Sequence, residues 1–203
     1  MSDDVVAIGL GHIINAANKA QDKAGASSDL TPERIIPPVH LWEPDYCGDI
    51  GMKIAYDGQW YYAGSPIGRK KLVDLFSTIL RFDDDGEYYL VTPAEKIRVE
   101  VEDVPFIVIA MHAEGQGREQ KITFSTNVGD RVLAGGMHPF RFEINTETQE
   151  PAPYVHIRAR LEARINRAVF YDLVNLGATH DGQFGIWSDG VFSPMMPADE
   201  LDL

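Results

Sequence analysis

Apolar residues recur along this chain at two different periods. Over GSPIGRKKLVDLFSTIL, Leu72, Val73, Leu75, Phe76, Ile79 and Leu80 fall at helical spacing. Ser65 reads as the cap of that helix and Pro66 as its first residue: a serine oxygen accepts a free backbone N–H, and proline has none to leave unpaired. IRVEVE and YVHIRARLEA instead alternate apolar and polar residues, as half-buried strands do. PFIVIAM is apolar throughout and reads as a central strand; KITFST, DRVLAG and FRFEI add further strands between the turns AEGQGRE and NVGD. MKIAY and QWYYAG flank Asp57-Gly58 and predict a hairpin. A second helix runs from about Asn166 to Leu176, with Gly177 placed to end it. Asp181-Gly182 then turns into FGIW, and Asp189-Gly190 into VFSPMM.

These elements predict an α+β protein. Residues 1–34 form an arm and linker: a short helix over 1–20, then AANKAQDKAGASSDLTP as a linker. Residues 35–93 form a first α+β repeat, residues 94–197 a second, larger and β-rich one with a capping helix, and 198–203 a tail.

The two helix–turn–strand strings, Ile67–Pro93 and Ile165–Asp189, align directly. Ile67 matches Ile165, Arg69 matches Arg167, Asp74 matches Asp172 and Leu75 matches Leu173. After a two-residue deletion, Asp85-Gly86 matches Asp181-Gly182, and YYLVT matches FGIWS. The shared order of elements supports duplication. Two amphipathic helices that each precede an Asp-Gly turn would also look alike without common descent.

Charge narrows the partners. The formal net charge of −13 repels phosphate backbones and anionic membranes at long range, which argues against general nucleic-acid or membrane binding. A local basic site is still compatible with it. The lone cysteine, Cys47, excludes an internal disulfide, and Met1-Ser2-Asp3-Asp4 is acidic where a signal peptide is basic. A cytoplasmic location is expected.

The matched Arg69 and Arg167 fall in the first turns of their helices, where free N–H groups and the helix dipole favour an anion. Lys70 and Ser65 adjoin the first. Arg158 and His156 share the polar face of one strand, and Trp187 can stack on a base or sugar. These residues form the candidate ligand-binding set. The competing reading is that the arginines pair with internal carboxylates, of which the chain has 31. Clefts between duplicated halves are common ligand sites, so the seam between the repeats is the expected place.

Other chemistry finds little support. Gly9-Leu10-Gly11 lacks a dinucleotide fingerprint, and no phosphate loop is present. Arg81 and Thr92 stand where a calcium loop around Asp83, Asp85 and Gly86 needs carboxylates. His40, Cys47 and Asp49 match no zinc module. Ser65 and Ser193 precede proline and make no nucleophile elbow. No metal, cofactor or catalytic residue is expected.

Several segments resemble a bacterial family of unknown function, the domain-of-unknown-function family 1285. They are PPVHLWEPDYCGDIGMKI, DGQWYYAGSPIGRKKLVDLFS, YYLVTPAEKIRVEVEDVPF, and PYVHIRARLEARINRAVFYDLV with GIWSDGVFSP. The resemblance implies a duplicated α+β architecture with antiparallel sheets and a C-terminal half like a pleckstrin-homology barrel. It also implies a ligand site between the halves for a nucleotide-like molecule in signalling. The functional expectation is a non-enzymatic module for a small anionic ligand. The alternatives are a hydrolase with a His/carboxylate site in the same cleft and a protein-interaction adaptor.

Overall fold

The computed structural model describes residues 3–24, 36–144 and 151–200. The chain divides into two units, Met1–Asp103 and Val104–Leu203. The described residues are mostly β, with three α-helices.

In the first unit, α1 (Asp3–Ala24) runs through much of the expected linker. Alanines favour helix, and Ile13, Ala17 and Ala20 recur on one buried face. Gln21 Nε2 donates to Thr78 Oγ1 at 3.3 Å, so α1 packs against α2 (Lys70–Thr78). The rest of that predicted linker falls within residues 25–35, which lie outside the described residues, as do 145–150 of the loop INTETQEPAP and 201–203 of the tail.

The strands of this unit are β1 (Tyr46–Ile54), β2 (Trp60–Tyr62), β3 (Ser65–Pro66), β4 (Leu80–Phe82), β5 (Tyr88–Val91) and β6 (Lys96–Val101). They form one sheet in the order β3-β2-β1-β6-β5-β4. The hairpin predicted around Asp57-Gly58 is β1–β2, with Met52 opposite Tyr62 and Ile54 opposite Trp60. Ser65 corrects the sequence reading: it caps no helix. Ala63 and Gly64 take φ of 46° and 78° and turn the chain back at once. Ser65 and Pro66 therefore pair with Tyr62 and Tyr61, and the helix begins at Lys70 with Arg69 as its N-cap.

In the second unit, β7 (Phe106–Glu114), β8 (Lys121–Thr126), β9 (Arg131–Leu133), β10 (Phe140–Ile144), β11 (Pro151–Arg158) and β12 (Leu161–Ile165) form a sheet in the order β10-β11-β12-β7-β8-β9. Phe106, Val108, Ile122, Phe124, Val155 and Ile165 are buried members of its core. After α3 (Arg167–Val174), β13 (Ala178–His180), β14 (Gln183–Ser188) and β15 (Val191–Pro197) make a separate antiparallel sheet.

The expectation of antiparallel sheets holds for most strand pairs and is corrected at one pair in each unit. β1 runs parallel to β6, and β12 parallel to β7. A parallel pair needs a long connection. The excursions β2–β5 and β8–β11 supply one in each unit.

The repeat is visible as structure. In each unit a helix leads into a short strand, an Asp-Gly turn and a second strand paired antiparallel to the first; a third strand then pairs antiparallel to the second. The short strands β4 and β13 were not expected, since three residues are too few to show a period. Gly177 adopts no left-handed cap. Its lack of a side chain instead admits the Phe184 ring, which would lie 2.1 Å from a Cβ placed there. Among the described residues no helix is long and apolar enough to cross a membrane.

Candidate functional site

The strand β14 has two unlike faces. Ile186 and Ser188 point inward and are fully buried. Ser188 Oγ accepts the Ile122 N–H at 3.0 Å and donates to the Ala134 carbonyl at 2.7 Å, which fixes the strand to its unit. The other face carries Gln183, Gly185 and Trp187, because side chains alternate along a strand. Trp187 stands opposite Phe192 on β15, and His180 on β13 stands opposite Gln183.

Gly185 has no side chain to hold Phe192 off, so the Phe192 ring closes over the middle of this face and three rings meet there. The centroid distances are 4.9 Å for His180–Trp187, 5.1 Å for His180–Phe192 and 5.2 Å for Trp187–Phe192. The guanidinium carbon of Arg118 lies 5.4 Å from the Trp187 ring, within cation–π range. Arg118 belongs to a 3-10 turn, Gly117–Glu119, next to a well-anchored residue. Buried Gln120 donates from Nε2 to the Trp187 carbonyl at 2.8 Å, and its own carbonyl accepts the Asp189 N–H at 2.8 Å. Asp181 Oδ2 is 3.4 Å from His180 Nε2. Trp187 and Phe192 are half-buried, while His180 and Arg118 are exposed. The cluster offers a ring face, a cation and a carboxylate at one place.

The other predicted residues lie elsewhere. Arg69 and Lys70 are exposed at the start of α2, where Lys70 pairs with Asp74 at 2.7 Å, and Ser65 is exposed on β3. Arg167 opens α3. Its Nε donates to Tyr171 Oη at 2.8 Å, while Asn166 caps the helix by accepting the Val169 N–H. Arg69 and Arg167 belong to different units. Arg158 pairs with Asp130 at 2.5 Å and lies over the Phe106 ring, so an internal carboxylate already neutralises it. His156 has each ring nitrogen within hydrogen-bond distance of a backbone carbonyl oxygen, those of Met137 and Ala159.

Charges in the first unit are largely closed on themselves. Asp83 accepts from Arg81 and Lys96, each at 2.5 Å. Burial pushes the Asp83 carboxyl up, but those two hydrogen bonds outweigh it and hold the group below its ordinary value. Arg81 also donates to the Val39 and Trp42 carbonyls. A cleft of about 470 Å³ is lined by Asp49, Lys53, Glu100 and Glu102, with Lys53 already paired to both glutamates. Such a lining disfavours an anion. Among the described residues no three His, Cys, Asp or Glu side chains gather as metal ligands.

Two domain families match. "Domain of unknown function (DUF1285), N-terminal domain" matches residues 37–104, and "Protein of unknown function (DUF1285), C-terminal domain" matches residues 105–195. The chain belongs to the DUF1285 family. A crystal structure of a DUF1285 family protein from Silicibacter pomeroyi DSS-3 is 46% identical, with a TM-score of 0.80, covering 94% of this chain and 98% of that one. A DUF1285 family protein from Shewanella baltica OS155 is 29% identical, with a TM-score of 0.48, covering 62% of this chain and 91% of that one. No functionally curated protein matches the chain. DUF1285 membership agrees with the resemblance carried by PPVHLWEPDYCGDIGMKI and GSPIGRKKLVDLFS.

Of the predicted site residues, Trp187 alone belongs to the ring cluster. His180, Phe192 and Arg118 were missed. The alternation of FGIW and VFSP places Gly185 and Trp187 on one face, so part of the cluster was legible. Arg118 reaches Trp187 from 69 residues away along the chain, and no local pattern shows that.

Proposed function

We propose that this protein is a non-catalytic binding module for a small, planar, anionic ligand, with Trp187 as the stacking surface and Arg118 as the charge contact. The observation that supports it is the half-open ring cluster over Gly185 with a guanidinium beside it. A nucleotide-like molecule joins a flat aromatic base to a phosphate and so fits both features. The exposed Arg69, Lys70 and Arg167 are secondary candidates for anion contact. The signalling role and the pleckstrin-homology-like character of the C-terminal half belong to the same reading.

The expected affinity is modest. Base–aromatic stacking contributes about 1–3 kcal/mol. A hydrogen bond to a charged group contributes about 1.5–3 kcal/mol. Together they correspond to dissociation constants from about ten millimolar to tens of micromolar. A thermal-shift screen with nucleotides at millimolar concentration tests the reading. Stabilisation by one ligand class, lost in Trp187→Ala, supports it; equal stabilisation of that variant, or of neither protein, argues against it.

A further inference from the structure

His156 presents both of its ring nitrogens to backbone carbonyl oxygens. Nδ1 is 3.2 Å from the Met137 oxygen and Nε2 is 2.7 Å from the Ala159 oxygen. A carbonyl oxygen only accepts hydrogen bonds. A neutral imidazole carries one N–H and can serve only one of the two, leaving its other nitrogen lone pair against an oxygen lone pair. The imidazolium carries two N–H groups and serves both.

The two carbonyls belong to different loops. Met137 lies between β9 and β10, in a segment that begins with Gly135 at φ 153° and Gly136. Ala159 is at the tip of the β11–β12 turn with φ 48°, a left-handed conformation that a side chain disfavours. The first loop has further ties to β11. His156 N–H donates to the Pro139 carbonyl at 3.1 Å, and His138 Nδ1 is 3.1 Å from the His156 carbonyl. The two imidazoles stack with centroids 5.7 Å apart.

The charges around His156 are mostly committed. Glu162, its cross-strand partner on β12, is held by Arg141 of β10. Arg158 is paired with Asp130, and Arg160 is exposed in the turn. His138 is the other titratable ring that faces it.

We propose that His156 is a proton-operated latch that ties the Met137 loop to the β11–β12 turn. The imidazolium bonds both carbonyls. Loss of one proton leaves the shorter bond to Ala159 and releases the longer one to Met137. The proton goes to solvent, and the loop loses its tie at Met137, 81% exposed at the surface, while the His156 N–H to Pro139 bond still holds its C-terminal end.

The test is a pH series on the full-length protein from about pH 5 to about pH 8, the range in which imidazoles change charge, read by long-range proton–nitrogen NMR of the histidine rings and by backbone amide shifts. The expected result is a doubly protonated His156 at the acidic end and an Nε2–H tautomer at the basic end. The Met137 and His138 amides should move in step, while the Arg160 amide after Ala159 stays. His138→Gln should keep this behaviour, and His156→Gln should abolish it. A His156 ring that holds one protonation state throughout overturns the proposal. So does a titration that leaves the Met137 loop unmoved, or one that survives in His156→Gln but not in His138→Gln.

Discussion

Gly185 lies beneath Phe192 so closely that a Cβ at position 185 would stand 2.7 Å from Phe192 Cζ. The same Cβ would meet the Ser193 carbonyl oxygen at 2.4 Å and the Pro194 Cα at 2.9 Å, and backbone cannot step aside as a flexible side chain can. The convergence of His180, Trp187 and Phe192 therefore depends on an absent side chain.

Gly185→Ala should push β14 and β15 apart. Overpacking of this kind costs about 1–3 kcal/mol. Urea unfolding should show that loss, and Trp187 emission should shift to the red as its ring separates from Phe192. An unchanged midpoint and spectrum would mean that the rings do not meet as described.

The Asp83 carboxylate makes the first unit acid-sensitive. Its folded value is depressed below 3.8 by Arg81 and Lys96, so its contribution to stability is fully present at neutral pH. That contribution is lost as pH falls below the ordinary carboxylate range and through the lowered value. Asp83→Asn should cost about 1.5–3 kcal/mol, the range for losing a hydrogen bond to a charged group, and should flatten the acid limb of the stability profile. A variant with the same acid limb as the parent would contradict this linkage.

Tyr89 supplies a spectroscopic marker in the same unit. Its hydroxyl donates to Asp85 Oδ2 at 2.7 Å. That bond, followed by burial, pushes the phenol up to about 12. Selective carbon labelling of the tyrosines should show the Tyr89 ring ionising well above the ordinary phenol value of 10. Asp85→Asn should return it towards 10; no movement in that variant would assign the shift to burial instead.

The parts of the fold written in local periods were legible in the sequence. The Asp57-Gly58 hairpin, the helix through Leu75 and Phe76, and the repeated Asp-Gly turns all follow from spacing within a dozen residues. Ser65 misled because a serine before proline looks the same whether it caps a helix or enters an edge strand, and the positive φ of Ala63 decided between them. The linker misled because AANKAQDK is polar on its face, while its alanines bury a small stripe against α2. At the site, Trp187 was legible from its strand. Arg118 and His180 depend on long-range placement by Gln120 and the β13–β14 turn, which periodicity does not encode.

The central claim is that Trp187 and Arg118 bind a planar anion, and Trp187 fluorescence tests it most directly. In a Trp42→Phe background the remaining tryptophans are Trp60, fully buried, and half-exposed Trp187. Titration with nucleotides should give saturable quenching. Arg118→Ala should weaken binding about 10-fold or more, the loss expected for one charged hydrogen bond. The account predicts that Trp187→Ala abolishes the signal and the thermal stabilisation together. Linear, unsaturated quenching up to millimolar nucleotide, or stabilisation that survives in Trp187→Ala, would contradict it.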